Sequence, residues 1–457
     1  MSCFDPRPDA DHAAVGSSRE SDGFLFPVNM CFSRGCRRRW LFFIVGKGKC
    51  IEMDEGNNKK VMGEGLDAKG SESQGTSLFS NGVLWFGAGI SLAEILTGTY
   101  LGGLDTGEAI LAILLGHLIG GVLLFLTGLI GARTGLSAMD TVKGSFGVLG
   151  GRFFALANVL QLVGWTAIMI YDGALAAEGI YPLGVPLYAV LLGALLLFWL
   201  FRGLGYAGRV NVLAVSVLFL LSLLISWILF SGTGAAVPSS QGMTFGAALE
   251  LSIVMPLSWL PLISDYTSKA SSPVKGAAVS AVSYTVSSSW MYGIGMILAA
   301  RFGETDISAL LMQMGLGAAA LFIILFSTVT TAFLDAYSAG VSVYSVSERF
   351  ETVRSACAVV LLGTVAACLF PMDDITDFLY FLGSVFAPMT AILLADFFLL
   401  GKRETAGRLS LSNTVIWILG FILYRYVMYV DFPYGYTLPT MILVAFCRYL
   451  WGRWERT

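Results

Sequence analysis

Gly87-Ala88-Gly89-Ile90-Ser91-Leu92-Ala93-Glu94 and Pro256-Leu257-Ser258-Trp259-Leu260-Pro261 decide how this chain is read. Each interrupts an apolar run long enough to cross a bilayer. Lipid offers no water to free backbone groups, so an interrupted helix persists at membrane depth only where it is buried in protein or lines a cavity. Breaks at matching places in two halves point to an inverted-repeat transporter with its site at the breaks. Counted along the chain, these are the first and sixth apolar runs, five apart. A five-helix unit is odd, so its second copy must run inverted through the membrane. The expectation is an all-α integral membrane protein with a five-plus-five inverted repeat and two extra C-terminal helices. Glycine and proline that merely bend packed helices are the competing account; the matched pair weakens it.

Outward from the breaks, apolar runs fall at roughly 79–101, 108–131, 152–177, 185–201, 209–230, 244–263, 276–300, 317–346, 355–370 and 375–400, then 412–430 and 435–451. Each is close to the ~17–25 residues a tilted helix needs, which makes about twelve spans. Composition agrees. Of 457 residues 56% are hydrophobic and 13% charged, against roughly 45–50% and about 25% in soluble proteins. A net charge of −3 argues against a nucleic-acid partner. The seven cysteines show no metal-site spacing.

The chain reads as three zones: a polar tail at 1–77, a ten-helix core at 78–403 and two peripheral helices with a short tail at 404–457. The tail holds a basic cluster, Arg34 with Arg37 to Arg39, and a short apolar run, Trp40 to Val45, too short to span. Its first 52 residues show no pattern. A start at Met53 and a genuine disordered extension both remain open. Lys and Arg set the orientation. With a cytoplasmic N-terminus, the inside loops hold Arg133, Lys143 and Arg152; Arg202 and Arg209; Lys269 and Lys275; Arg349 and Arg354; and Lys402, Arg403 and Arg408, while outside loops hold only Arg301. Both termini are expected inside, and a bacterial inner membrane is the expected location.

Ionisable groups within spans are expensive and functional by default. The first run carries Glu94 just after its break, the eighth Asp335, and the third Asp172 near its outer end. In the eighth, Ser327, Thr330, Thr331, Asp335 and Ser338 share one face by their three- and four-residue spacing. Hydroxyls so placed, with a freed carbonyl opposite, are oxygen ligands for a small hard cation; hydroxyls bonding within or between helices are the bland alternative. Asn158, Gln161 and Trp165 line one face of the third run, and Trp259 lies inside the second break. A flat heteroaromatic ring could stack on an indole and be edged by Gln161 and a carboxylate. His117, within Gly116-His117-Leu118-Ile119-Gly120, reads as a close-packing residue, with a proton relay as the other reading. Arg425 has no evident partner in the sequence.

Five stretches in order resemble the nucleobase–cation symporter-1 family across nearly all of 78–403: Gly87 to Glu94; Leu115-Gly116-His117 with Gly128 to Gly135; Val163-Gly164-Trp165; Ser264-Asp265-Tyr266-Thr267-Ser268-Lys269; and Leu394-Ala395-Asp396-Phe397-Phe398. The stretch Ala93 to Gly98 most resembles the bacterial branch for hydroxymethylpyrimidine, a thiamine precursor. The resemblance implies the leucine-transporter fold. It implies cation ligands at Ile90, Ala93, Ser327, Thr330 and Thr331, with Na+ as a candidate, and a substrate-stacking Trp165. Gln161 matches a substrate-contacting Gln approximately, and Trp259 falls in the region of a sixth-helix aromatic. Asp335 stands where relatives place Asn, and Glu94 where an amide is common. A carboxylate can pair with an aminopyrimidine through two charge-assisted bonds, Glu94 first and Asp335 second; either could instead carry a coupling proton.

The function expected is a cation symporter importing a pyrimidine, hydroxymethylpyrimidine foremost, coupled to Na+ or H+. A cytosine, purine or allantoin-type permease is the alternative. No cofactor is expected, and the oligomeric state stays open, a monomer included. A membrane enzyme is disfavoured because the sequence carries no nucleophile–base pair, His cluster or Walker loop, and a channel because it would not need paired broken helices.

Overall fold

A computed structural model describes residues 44–45, 49–50, 75–231, 243–302, 317–372, 375–402 and 407–456, with backbone only at 44–45, 49–50, 203–211, 230 and 317–323. The chain divides into two compact units, Met1–Lys69 and Gly70–Thr457. In the first, the described residues form one short antiparallel pairing, Ile44–Val45 (β1) with Lys49–Cys50 (β2). The basic cluster at 34–39 and the Met53 start lie outside the described residues.

In the second unit, α1 (Leu78–Gly89) and α2 (Leu92–Thr99) form the first span, bent by 44°. The helix stops where Gly89 presses on α8 (Pro273–Phe302): a Cβ there would lie 2.9 Å from the Ser288 nitrogen. It restarts because the Ser91 hydroxyl accepts from the Glu94 N–H at 3.3 Å, an N-cap. Next come α3 (Thr106–Thr134), α4 (Ala138–Ile180) and α5 (Val185–Ser231). The sixth span is α6 (Phe245–Leu257) with α7 (Leu260–Thr267). Beyond α8 lie α9 (Gly317–Val346), α10 (Thr352–Leu369), α11 (Ile375–Leu394), α12 (Leu411–Tyr429) and α13 (Thr437–Trp454).

Three elements differ from the sequence expectation. The third span begins at Ala138 rather than 152, capped by Ser137, and kinks at Gly147, whose φ of 77° suits glycine. Amides freed there donate to a separate strand of backbone: Val148 N to Gly407 O at 3.1 Å and Leu149 N to Arg408 O at 2.9 Å. Lys143 and Arg152 disguise this start as a loop. The fourth and fifth runs are joined in one 47-residue helix, α5; no proline between them ends it. The second break is also softer than the first. Ser258 and Trp259 keep right-handed helical angles, so α6 and α7 form one apolar stretch, Phe245–Thr267. Pro261 still brings no N–H to the ladder.

Among the described residues nine helical segments are long and apolar enough to span, α5 supplying two of them (Val185–Arg202 and Val212–Leu229), or ten with the bent first span. α8 falls short on apolarity because of a run of serines, and α13 because it carries Arg448 and Arg453. The packing has a repeat pattern. The first span lies on α8 as the sixth lies on α3, while α4 packs against α9, and α5 and α10 close that second group. Glycines permit the close approaches: a Cβ on Gly120 of α3 would strike Pro256 of α6, and one on Gly98 of α2 would strike the Tyr292 backbone of α8. In the 18-residue apolar window of Phe245–Thr267, 94% of residues are buried, against 17% in that of Leu411–Tyr429, so one span is central and the other peripheral. Exposed Leu114, Leu118, Leu160, Leu213, Leu220 and Leu362 give the outside an apolar coat suited to lipid.

Candidate binding site

The two interruptions converge on one buried cavity. Ala88, Ser91, Ala93 and Glu94 of the first span, Trp165 and Met169 of α4, Met255, Ser258 and Trp259 of the sixth span, and Asp335 of α9 line it. The centre of a water molecule has about 10 Å³ in which to move there, room for about one water. A ring the size of a pyrimidine therefore requires the wall to move.

The two indoles sit differently. Trp165 meets Phe378 edge-on at 5.3 Å between centroids. Trp259 meets Trp85 at 5.5 Å and Tyr284 at 5.8 Å, both edge-on. Edge-to-face packing holds each ring without stacking another ring on its face.

The carboxylates also differ. Both Glu94 oxygens are engaged: Tyr284 Oη donates to Oε1 at 2.6 Å and Ser288 Oγ to Oε2 at 2.7 Å. Asp335 is 2% exposed, and its Oδ2 has no hydrogen-bond partner among the described residues. A buried acceptor without a partner costs about 1–3 kcal/mol, more for a charged group, so Asp335 is the group with bonding capacity left for a ligand.

Gln161 does not line the cavity. Its Nε2 donates to Asn158 Oδ1 at 2.9 Å and to Ser258 O at 3.0 Å, and its buried Oε1 has no partner among the described residues. Asn158 Nδ2 donates to Pro261 O at 3.1 Å and to Ser342 Oγ at 2.8 Å. The Asn158–Gln161 pair thus satisfies backbone carbonyls at the sixth-span interruption and ties that break to α4 and α9.

On the far side of the first break, Ser327 Oγ donates to Ile90 O at 3.4 Å, a long contact. Thr330 Oγ1 donates to Ser327 O at 2.9 Å within its own helix, and the buried Thr331 Oγ1 has no partner among the described residues. The Ala93 carbonyl accepts from Thr97 Oγ1 at 2.7 Å. Ser327 and the Ile90 carbonyl are therefore together, while Thr330 gives its hydroxyl hydrogen to Ser327 O and keeps its lone pairs, and the Ala93 carbonyl has one bond, from Thr97. Asp172 is only half-buried and does not line the cavity, and Arg425 is exposed, its Nη1 3.7 Å from Met428 Sδ.

Sequence reading missed Tyr284 and Ser288. Their signal is the polar series Ser280, Tyr284, Ser287 and Ser288, at helical spacing within α8, the same serines that lower its apolarity.

Residues 71–415 match the family described as "Permease for cytosine/purines, uracil, thiamine, allantoin". The cytosine permease of Escherichia coli strain K12 is 26% identical over 332 residues, covering 71% of this chain and 79% of that protein. Mhp1, a nucleobase-cation-symport-1 family transporter solved closed with bromovinylhydantoin bound, superposes with a TM-score of 0.67 at 19% identity, covering 84% of this chain and 93% of that one. A substrate-bound, outward-open Na+-coupled sialic acid symporter gives 0.63 at 15% identity, covering 84% and 91%. The fold is thus the leucine-transporter fold that the family resemblance implied, and the relatives are permeases rather than enzymes. The chain is a multi-pass membrane transporter that belongs to the family of permeases for cytosine/purines, uracil, thiamine and allantoin.

Proposed function

We propose that the protein is a cation-coupled symporter importing a pyrimidine, with hydroxymethylpyrimidine as its substrate. The observation that carries this reading is the convergence of two indoles and two carboxylates, Trp165, Trp259, Glu94 and Asp335, on one cavity at the helix interruptions. A planar ring stacks on Trp165 once the wall opens. Its exocyclic amine and protonated ring nitrogen donate to a carboxylate in parallel charge-assisted bonds. Asp335, with its free Oδ2, takes this role ahead of Glu94, reversing the order the sequence favoured. Gln161 acts one layer back, holding the Ser258 carbonyl. The preference for hydroxymethylpyrimidine rests on the Ala93-Glu94-Ile95-Leu96-Thr97-Gly98 resemblance.

The coupling cation in this reading lies between the Ile90 and Ala93 carbonyls and the hydroxyls of Ser327, Thr330 and Thr331. The buried, unpartnered Thr331 Oγ1 and the long Ser327–Ile90 contact support Na+, an ion that takes oxygen ligands. Residues 78–403 form the transport core and 404–457 its periphery, with both termini cytoplasmic and the protein in the inner membrane of a bacterial cell. The first, second, sixth and seventh spans rock as one body against α4, α5, α9 and α10 to alternate access.

A second reading, cytosine uptake, has the cytosine permease match in its favour. Calorimetric titration of purified protein with each ligand, in sodium and in choline buffer, separates the two. We expect hydroxymethylpyrimidine to bind more tightly than cytosine and to need sodium. Tighter cytosine binding would keep the transporter reading and replace the substrate.

A further inference from the structure

A cavity sharing no residue with the substrate cavity lies beside the kink of α4 at Gly147. Leu149, Phe153 and Phe154 form one wall. Leu409, Thr414 and Trp417, at the start of α12, form the other, with about 210 Å³ between them. Gly150 keeps the cleft open: a Cβ there would lie 3.6 Å from Leu409 Cδ1. The rings pack together, Trp417 meeting Phe153 edge-on at 5.4 Å and Phe154 at 5.2 Å. The two lining side chains with polar hydrogens have spent them. Thr414 Oγ1 donates to Ser410 O at 2.8 Å and Trp417 Nε1 to Val385 O at 2.9 Å. A wholly apolar space of roughly 150 Å³ stays dry and takes benzene, so this larger one suits an alkyl chain rather than a polar solute.

The groove opens on the apolar coat of the molecule. Its own Leu149, Phe153 and Leu409 are exposed, as are Leu156 and Leu160 further along α4 and Val415, Ile418 and Leu419 of α12. Two cations flank it. Arg152 precedes Phe153 and Arg408 precedes Leu409; both are exposed, and neither forms a salt bridge among the described residues. Backbone bonding fixes Arg408 in place, its carbonyl accepting from the Leu149 N–H at 2.9 Å. Lys143, against Gly151, is spent instead on Asp140 Oδ1 at 2.7 Å and Ser345 O at 2.8 Å. A long basic side chain on apolar surface lays its stem along that surface and carries its charge to the interface. There an uncompensated guanidinium pairs with a phosphate through two parallel hydrogen bonds.

We propose that this groove is a binding site for an anionic glycerophospholipid, with an acyl chain between α4 and α12 and its phosphate paired with Arg152 and Arg408. Both parts of such a molecule are matched here, hydrocarbon to the cleft and negative charge to the two guanidiniums. Free phosphate satisfies the arginines and leaves the cleft empty. A zwitterionic lipid fills the cleft, but its own cation competes for the phosphate. Basic pockets between membrane helices on the cytoplasmic side take anionic headgroups in this way, and this end of α4 is cytoplasmic in the proposed orientation. The inference needs only that the chain spans a membrane. It depends on neither the substrate nor the coupling ion.

Native mass spectrometry of the full-length protein, incubated with equimolar phosphatidylglycerol and phosphatidylcholine of identical chains, reads both parts of the site. We expect the wild type to retain phosphatidylglycerol roughly 30-fold more tightly, about fivefold for each arginine. Arg152→Gln and Arg408→Gln each reduce that preference about fivefold, and the double variant removes it. Thr414→Trp, which fills the cleft, weakens both lipids alike. A photoreactive group at the end of the phosphatidylglycerol acyl chain gives a readout that needs no variant, with label expected in peptides covering 146–154 and 409–417. Equal retention of the two lipids by the wild type overturns the proposal. So does a preference unchanged in the double variant, binding unchanged in Thr414→Trp, or label spread evenly over the lipid-facing helices. A lipid-free dimer that Thr414→Trp dissociates would assign the face to a second copy of the chain and overturn it too. A cooperative melt of each variant shows that it is folded.

Discussion

At the scale of single residues, the cavity ranks its own side chains. Trp165 meets Phe378 edge-to-face and lines the cavity. Removing a stacking aromatic costs about 1–3 kcal/mol per ring, so Trp165→Ala should raise KM roughly 5- to 150-fold, with Trp165→Phe between. Uptake kinetics at saturating sodium check this. Asp335→Asn should weaken binding of an aminopyrimidine by about 1.5–3 kcal/mol, the loss of a charge-assisted bond, read by the same titration used for substrate choice. Thr331→Ala should raise the sodium concentration for half-maximal uptake and leave the competition profile among pyrimidines unchanged. An altered competition profile would move Thr331 to the substrate.

At the scale of elements, buried polar anchors attach the last two helices. Arg448 is fully buried, and its Nε donates to Asp396 Oδ1 at 2.6 Å. Asn413 Nδ2 donates to Asp396 Oδ2 at 2.9 Å and to Ser145 O at 2.7 Å. One carboxylate thus joins the end of α11 to α12 and α13. Breaking a buried pair from one side costs about 3–5 kcal/mol because the other charge is left alone. Arg448→Ala should lower thermal stability in detergent accordingly, and Arg448→Ala with Asp396→Ala should recover part of the loss. Glu250 plays a matching part, accepting from the Tyr436 and Thr437 backbone amides at 2.6 and 2.8 Å, so a carboxylate of α6 caps α13. Asp396 stood in a family-like stretch of the sequence. Its partners did not, because contacts between distant segments leave no local periodicity. The first break was legible for a local reason, since glycines and a capping serine sit together. The second was legible as a proline pair, but its retained helical angles were not, because tertiary packing sets them. Gln161 and Trp165 share a helix face, yet only Trp165 reaches the cavity; spacing gives the face and not the depth.

At the scale of the molecule, the two packed groups of helices are held in one arrangement by contacts across the site. Tyr266 Oη donates to Leu334 O at 2.9 Å, joining the sixth span to α9, and Asp265 Oδ1 accepts from the Ala138 N–H at 2.8 Å at the start of α4. Thr76 N donates to Lys269 O at 2.7 Å, so the start of the first span is tied to the end of the sixth. If access alternates by the proposed rocking, that motion breaks the Tyr266 and Asp265 contacts and keeps that of Thr76. A short bifunctional thiol reagent joining Tyr266→Cys to Leu334→Cys, in a background without other cysteines, should stop uptake, while one joining Thr76→Cys to Lys269→Cys should not. In the proposed mechanism sodium and a pyrimidine move together through this cavity. That coupling is tested most directly by uptake of labelled hydroxymethylpyrimidine into proteoliposomes under an imposed sodium gradient. Saturable, sodium-driven uptake that excess cytosine competes for poorly and Trp165→Ala weakens is expected. Uptake that is indifferent to the sodium gradient, or unchanged by Trp165→Ala, would contradict it.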